Sequence, residues 1–129
     1  MGQSQPLHRT KAVVIDDDED QRFLSATLLE EADFEVVECE TAEQGLEVIR
    51  ERPDEVELIF TDVQLPGAID GIEFAKIVHA ELPDVPVIVT SGAGGNRLAE
   101  LPNDVEFLPK PWRPLDLLRR AEKVRAHRW

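Results

Sequence analysis

The sequence predicts a doubly wound α/β domain, a five-stranded parallel sheet with helices on both faces. Three observations carry that prediction. Short apolar runs rich in β-branched residues recur at positions 12–15, 36–39, 58–61, 85–90 and 105–108. Stretches with apolar residues at helical spacing separate them, and alternation of this kind implies parallel strands joined by right-handed crossovers. The chain has 129 residues, of which 42% are hydrophobic. That is enough for one packed core and too apolar for a disordered chain.

In chain order, residues 1–10 (MGQSQPLHRT) are polar and contain Pro6, so they read as a flexible leader to a domain spanning 11–129. Residues 12–15 (AVVI) form a fully apolar first strand, as expected of a strand covered on both faces. The first helix carries Leu24, Leu28 and Ala32 at four-residue spacing and ends before Asp33. The second strand, 36–39 (VVEC), is more polar and belongs nearer an edge. Thr41 and Gln44 make a T-x-x-Q capping box for a second helix with Ala42, Leu46 and Ile49 inward, stopped by Pro53. The third strand, 58–61, runs into Asp62 and the turn-rich segment LPGAIDG. Asp70 then caps a helix facing inward through Phe74, Ile77 and Val78. The fourth strand tolerates Pro86 at its start. Gly92, Gly94 and Gly95, with Pro102 beyond, leave only a short or irregular helix at about 97–101. After the fifth strand, Pro114 suits the first turn of a final helix with Leu117, Ala121 and Val124 inward. With five strands the common doubly wound order is 2-1-3-4-5, and ligands in such sheets bind at the carboxyl ends of the strands.

Composition narrows the function. A net charge of −13 disfavours nucleic-acid phosphates and anionic membranes alike. One cysteine, Cys39, excludes an internal disulfide and a cysteine-based zinc cage. His8, His79 and His127 are scattered, with no spacing suited to zinc or a catalytic dyad. No apolar run approaches the ~20 residues of a membrane span, and the first residues lack a signal peptide's apolar centre. The expectation is a cytoplasmic domain with neither DNA nor membrane as partner.

The residues at the strand ends are the most informative. Strand one ends in Asp16-Asp17-Asp18-Glu19-Asp20, strand three in Asp62, strand four in Thr90-Ser91 and strand five in Lys110. An acidic run is most often a solvated loop or helix start, where the helix dipole favours acids, and Asp18, Glu19 and Asp20 read that way. Acids from strands one and three, however, would share one pocket. Crowded carboxylates want a hard cation, and oxygen-only ligation favours Mg²⁺, with Mn²⁺ the alternative. A lone hydroxyl and a lone lysine facing that cluster suit an added anion, most simply a phosphoryl group.

With these residues in place, the motifs VVIDD, FTDVQLP, DGIE, TSG and LPKPW, in this order and spacing, resemble the receiver domain of bacterial two-component response regulators. The resemblance covers residues 11 to about 126 and implies a flavodoxin-like receiver fold. It makes Asp62 the phosphoacceptor and Asp16 and Asp17 the metal-site acids, with Asp62 and the backbone carbonyl of Gln64 completing the protein's share of the Mg²⁺ shell. It gives Ser91, rather than Thr90, the active hydroxyl, and Lys110 the phosphoryl oxygens. It also implies a cis Lys110–Pro111 peptide and puts Phe107 at the switch-aromatic position. The phosphoryl donor would be a phosphohistidine on a sensor histidine kinase or histidine phosphotransfer protein, with a downstream protein partner reading the switch. The domain would be a signalling module rather than an enzyme with an external substrate.

This chain departs from the family pattern in a longer loop before Asp70-Gly71, a shorter segment between Ser91 and Lys110, and Ser in place of the commoner Thr. The short segment removes much of the face through which many receivers dimerise, so a monomer or weak dimer is expected, acting as a shuttle, sink or adaptor in a phosphorelay. Two other function classes compete. A phosphohydrolase using an aspartyl-phosphate would resemble D-x-D-x-[TV], and here the fifth place is Asp20. A pseudo-receiver, a binding module with the fold alone, typically lacks one of the acids, the acceptor or the lysine, and this chain has them all.

Overall fold

A computed structural model describes residues 10–92 and 96–127. Its elements are β1 (Lys11–Ile15), α1 (Glu19–Glu31), β2 (Glu35–Cys39), α2 (Ala42–Glu51), β3 (Val56–Asp62), α3 (Gly71–Glu81), β4 (Val87–Ser91), β5 (Glu106–Pro109) and α4 (Pro114–His127). Short 3₁₀ turns occupy Pro53–Glu55 and Asn96–Glu100. The strands form one parallel sheet in the order β2-β1-β3-β4-β5, as the alternation of runs predicts.

Side-chain alternation along the strands divides the core in two. Val13 and Ile15 of β1, Ile59 of β3, and Val87 and Val89 of β4 join Ala42, Leu46 and Ile49 of α2 and Phe74, Ala75 and Val78 of α3. On the opposite face, Ala12, Val14, Leu58, Phe60, Ile88 and Leu108 meet Leu28 and Leu29 of α1 and Leu117, Ala121 and Val124 of α4. Each fully buried Ile, Leu or Phe contributes about 1.5–3 kcal/mol of apolar transfer, which anchors the helices to both faces. Strand β3, in the middle of the sheet, is buried along its whole length. Strand β2, more polar in sequence, lies at the edge with Glu35 and Glu38 exposed.

The caps follow local chemistry. Asp18 accepts the Gln21 amide at 3.1 Å, Thr41 the Gln44 amide at 3.1 Å, and Asp70 the amides of Ile72 and Glu73 at 3.0 Å each. The Gln44 side chain reaches back to the Glu40 amide at 2.7 Å, one residue earlier than the usual capping box. One sequence expectation needs correction. Leu24 is exposed, because the buried face of α1 runs through Ser25, Ala26, Leu28 and Leu29 instead. The short or irregular helix expected at about 97–101 is a 3₁₀ turn over Asn96–Glu100. Thr10, placed with the leader, is tied to β2: its carbonyl accepts the Glu35 amide at 2.9 Å and its hydroxyl donates to Glu35 at 3.1 Å. The rest of the leader, residues 93–95 of the glycine segment and Trp129 lie outside the described residues.

Candidate functional site

Strand register assembles the site. Ile15 of β1 pairs with Thr61 of β3, so Asp16 leaves its strand beside Asp62. Asp62 pairs with Thr90, and Ser91 pairs with Pro109, so Lys110 follows β5 beside Ser91. The Lys110 amide donates to the Ser91 carbonyl at 3.0 Å. Four crossover connections thus deliver residues far apart in sequence to one end of the sheet.

Asp62 is buried, and both of its carboxylate oxygens are engaged. Lys110 Nζ donates to Oδ2 at 2.7 Å, and the Gln64 amide donates to Oδ1 at 3.1 Å. Charge-assisted contacts of this length hold the carboxylate in one orientation. Asp16 is buried too, and its Oδ1 accepts the Asp18 amide at 2.9 Å. Burial pushes the Asp16 carboxyl above its ordinary range; the Asp18 amide opposes this, Asp62 and Asp17 add to it, and Lys110 opposes it. Asp17 is exposed. Among the described residues, no three carboxylate, imidazole or thiol side chains stand close enough together to hold a metal ion as a group. The structure therefore brings Asp16, Asp62 and Lys110 together while Asp17 faces solvent.

The two hydroxyls at the end of β4 differ. Thr90 Oγ1 donates to the Leu108 carbonyl at 2.6 Å, which commits it to the sheet. Ser91 is the last residue of the strand and is also buried. Phe107 is half-buried against the α2–α3 side of the core. The Lys110–Pro111 peptide is cis. Beyond Lys110, Trp112 packs edge-on against Phe60 with ring centroids 5.7 Å apart. A hollow of about 620 Å³ opens beside the lysine, lined by Asp18, Gln21, Leu24, Gly92, Lys110, Pro111 and Trp112.

The loop between Asp62 and α3 is tightly constrained. A Cβ at Gly71 would stand 2.0 Å from the Asp62 carbonyl oxygen, so no larger residue fits without moving the backbone of the acid. Gly67 adopts φ +101°, a left-handed conformation that favours glycine. Sequence reasoning passed over three residues that hold these loops. Arg22 donates to the Asp16 carbonyl at 2.9 Å and pairs with Glu38 at 3.1 Å. Glu43 accepts the Ala68 amide at 3.0 Å, and Arg97 pairs with Asp70. Each is a long-range contact from a polar side chain, with no periodic pattern to mark it.

Chemically, the site presents an oriented buried carboxylate, a second buried carboxylate with excess local negative charge, one lysine in contact and an open hollow alongside. The family model for the response regulator receiver domain matches residues 12–122. The chain is 28% identical over 117 residues to the response regulator receiver protein CpdR of Brucella abortus, covering 88% of this chain and 95% of that protein. It is 31% identical over 128 residues to the nitrogen assimilation regulatory protein NtrX of Azorhizobium caulinodans, covering 88% of this chain but 28% of that longer protein. It spans 18% of another relative, the putative two-component response regulator ARR21 of Arabidopsis thaliana. Among solved structures, the receiver domain of NtrX from Brucella abortus is 27% identical with a TM-score of 0.76, covering 88% of this chain and 96% of that one. The receiver domain of the hybrid histidine kinase CckA is 30% identical with a TM-score of 0.74, covering 88% and 97%. The chain belongs to the response regulator receiver domain family, and its fold is the flavodoxin-like receiver fold.

Proposed function

We propose that this receiver domain accepts a phosphoryl group on Asp62 and thereby switches its binding to other proteins. The observation that carries this reading is the setting of Asp62: buried, at the end of the central strand, with one oxygen on Lys110 at 2.7 Å and the other on the Gln64 amide. A carboxylate so oriented is ready for in-line attack. In the transfer, an Asp62 oxygen forms a bond to phosphorus as the phosphorus–nitrogen bond of a phosphohistidine breaks. The electron pair stays with the leaving imidazole, which takes a proton from solvent. Lys110 neutralises charge on the transferring phosphoryl oxygens, and Ser91 donates its hydroxyl to one of them once the acyl phosphate has formed.

The donor set suits a hard divalent cation. Asp16, Asp17, Asp62 and the Gln64 carbonyl offer oxygen alone, and burial raises the Asp16 carboxyl, with the neighbouring Asp62 and Asp17 charges adding to it. Mg²⁺, or Mn²⁺ in its place, would be held by these four and would supply the positive charge that lets a carboxylate and a phosphoryl group approach each other.

The donor protein would be a sensor histidine kinase or a histidine phosphotransfer protein, and a downstream protein would read the switch. Coupling of Ser91 to Phe107 would make that switch a shift between two populations, with the ring turning inward as the hydroxyl moves. A monomer or weak dimer in the cytoplasm, relaying or draining phosphoryl groups, fits this reading. No helix among the described residues is long and apolar enough to cross a membrane.

The test is incubation with Mg²⁺ and acetyl phosphate followed by intact-protein mass. One added phosphoryl group per chain, lost in Asp62→Asn, supports the proposal. Multiple turnover of phosphomonoesters would point to a phosphohydrolase, and an unchanged mass to a pseudo-receiver.

A further inference from the structure

Two side chains from distant parts of the sequence grip the loop that carries Gln64. Glu43, in the first turn of α2, accepts the Ala68 amide at 3.0 Å. Arg97, in the 3₁₀ turn between β4 and β5, pairs with Asp70. The second contact acts where it counts most. Asp70 is the cap of α3: its Oδ1 takes the amides of Ile72 and Glu73, while Oδ2 faces the guanidinium. Burial pushes the Asp70 carboxyl up, but the Glu73 amide and Arg97 outweigh it and hold the carboxyl below its ordinary range. The next residue, Gly71, presses on the acceptor itself. A Cβ there would lie 2.0 Å from the Asp62 carbonyl oxygen, and the Gly71 amide donates to the Val63 carbonyl at 2.8 Å. Arg97 does not hang from a loose strap either. It pairs with Glu100 at 3.3 Å, and Glu100 takes Lys76 of α3 at 2.6 Å, so the turn is stitched to the helix at both ends.

We propose that Arg97 is a positioning residue for the acceptor site: through Asp70 it fixes the start of α3 against the backbone of Asp62, tying the β4–β5 turn to the aim of the Asp62 carboxylate. The proposal rests on the phosphoryl-acceptor reading for its kinetic consequence, though the contact itself can be tested without it. Loss of the ion pair lets the Asp70–Gly71 corner move away from Asp62, so the orienting amide of Gln64, in the same loop, is held less firmly.

The experiment compares Arg97→Gln, Arg97→Lys, Asp70→Asn and the Arg97→Gln/Asp70→Asn double variant. Asn at position 70 retains an oxygen for the cap amides while losing the ion pair. Two quantities are read: hydrogen exchange at the Gly71 amide, and the saturating rate and half-saturating concentration for phosphorylation by acetyl phosphate with Mg²⁺. Arg97→Gln and Asp70→Asn should each speed Gly71 exchange and lower the saturating rate by roughly threefold, the scale of a partly exposed ion pair. The half-saturating donor concentration should stay unchanged, Arg97→Lys should restore most of both quantities, and the double variant should be no worse than the weaker single. Unchanged Gly71 exchange in Arg97→Gln, or single effects that multiply in the double variant, would overturn the proposal. Should the wild-type chain take no phosphoryl group, the acceptor reading fails, and Gly71 exchange still decides whether Arg97 holds this corner.

Discussion

The two ends of the sheet are built from the same ingredients, a lysine among carboxylates, yet only one has the makings of a reactive site. At the amino end, Lys11 lies 3.6 Å from Glu35 and 3.4 Å from Glu55, and Arg52 also pairs with Glu55 at 3.1 Å. Lys11 and Arg52 match Glu35 and Glu55 in charge, and the contact with Arg52 holds the Glu55 carboxyl below its ordinary range. At the carboxyl end, Asp16 and Asp62 are buried and face a single lysine, and burial drives the Asp16 carboxyl the other way. The difference shows that residue types alone do not make a site. What matters is negative charge withdrawn from water without enough positive charge to balance it, a state that under the proposed function would favour a divalent cation.

The largest expected effect breaks the two lysines apart. Lys110→Ala should slow phosphorylation by acetyl phosphate by about 10²–10³-fold, the range for removing one charge-stabilising donor from a preorganised site. Lys11→Ala should leave that rate alone and change stability by less than about 0.5 kcal/mol. Equal losses in the two variants would erase the distinction between the two ends.

A second effect concerns the sign of the pH dependence in metal-free protein. The folded pKa of Asp16 is raised above 3.8, so the folded state holds this proton after the unfolded chain has released it. The Asp16 contribution is therefore favourable at low pH and is lost as pH rises from about that value through the raised one. Glu55, lowered from 4.5, behaves oppositely: its contribution is present above that value and is lost as pH falls through the lowered one. Asp16→Asn should thus stabilise the metal-free protein at neutral pH, while Glu55→Gln should not. Denaturant titrations of the two variants with chelator at pH 7 and pH 4 measure this, and destabilisation by Asp16→Asn at pH 7 would contradict it.

Much of this contrast was legible in the sequence. Strand ends are marked by where apolar runs stop, and that puts Asp16, Asp62, Thr90-Ser91 and Lys110 together at the carboxyl end of the sheet. Glycine and proline in the β4–β5 segment announced that no full helix would form there, because both weaken helix interiors. The supporting contacts were illegible. Glu43 reaches Ala68 and Arg97 reaches Asp70 across 25 and 27 residues, through flexible charged side chains that leave no periodic trace. Leu24 misled for a related reason: four-residue spacing gives a helical stripe but not the rotation of the helix, and the denser set Ser25, Ala26, Leu28 and Leu29 took the buried face of α1.

The smallest expected effect is optical. Trp112 packs against Phe60 and lines the hollow beside Lys110, so its emission should change with Mg²⁺, and more with Mg²⁺ and beryllofluoride. In a Trp129→Phe background that signal belongs to Trp112 alone. No change with either ligand would separate the hollow from the acid pocket.

The central claim is that the buried, undercompensated end of the sheet takes a phosphoryl group on one particular carboxylate. Borohydride reduction of the protein after acetyl phosphate and Mg²⁺ converts an aspartyl phosphate to homoserine, and peptide mass spectrometry then reads its position directly. Homoserine at position 62 and at no other acid is the predicted result. Homoserine at Asp16, Asp17 or an acid of the amino end, with Asp62 unmodified, would contradict it.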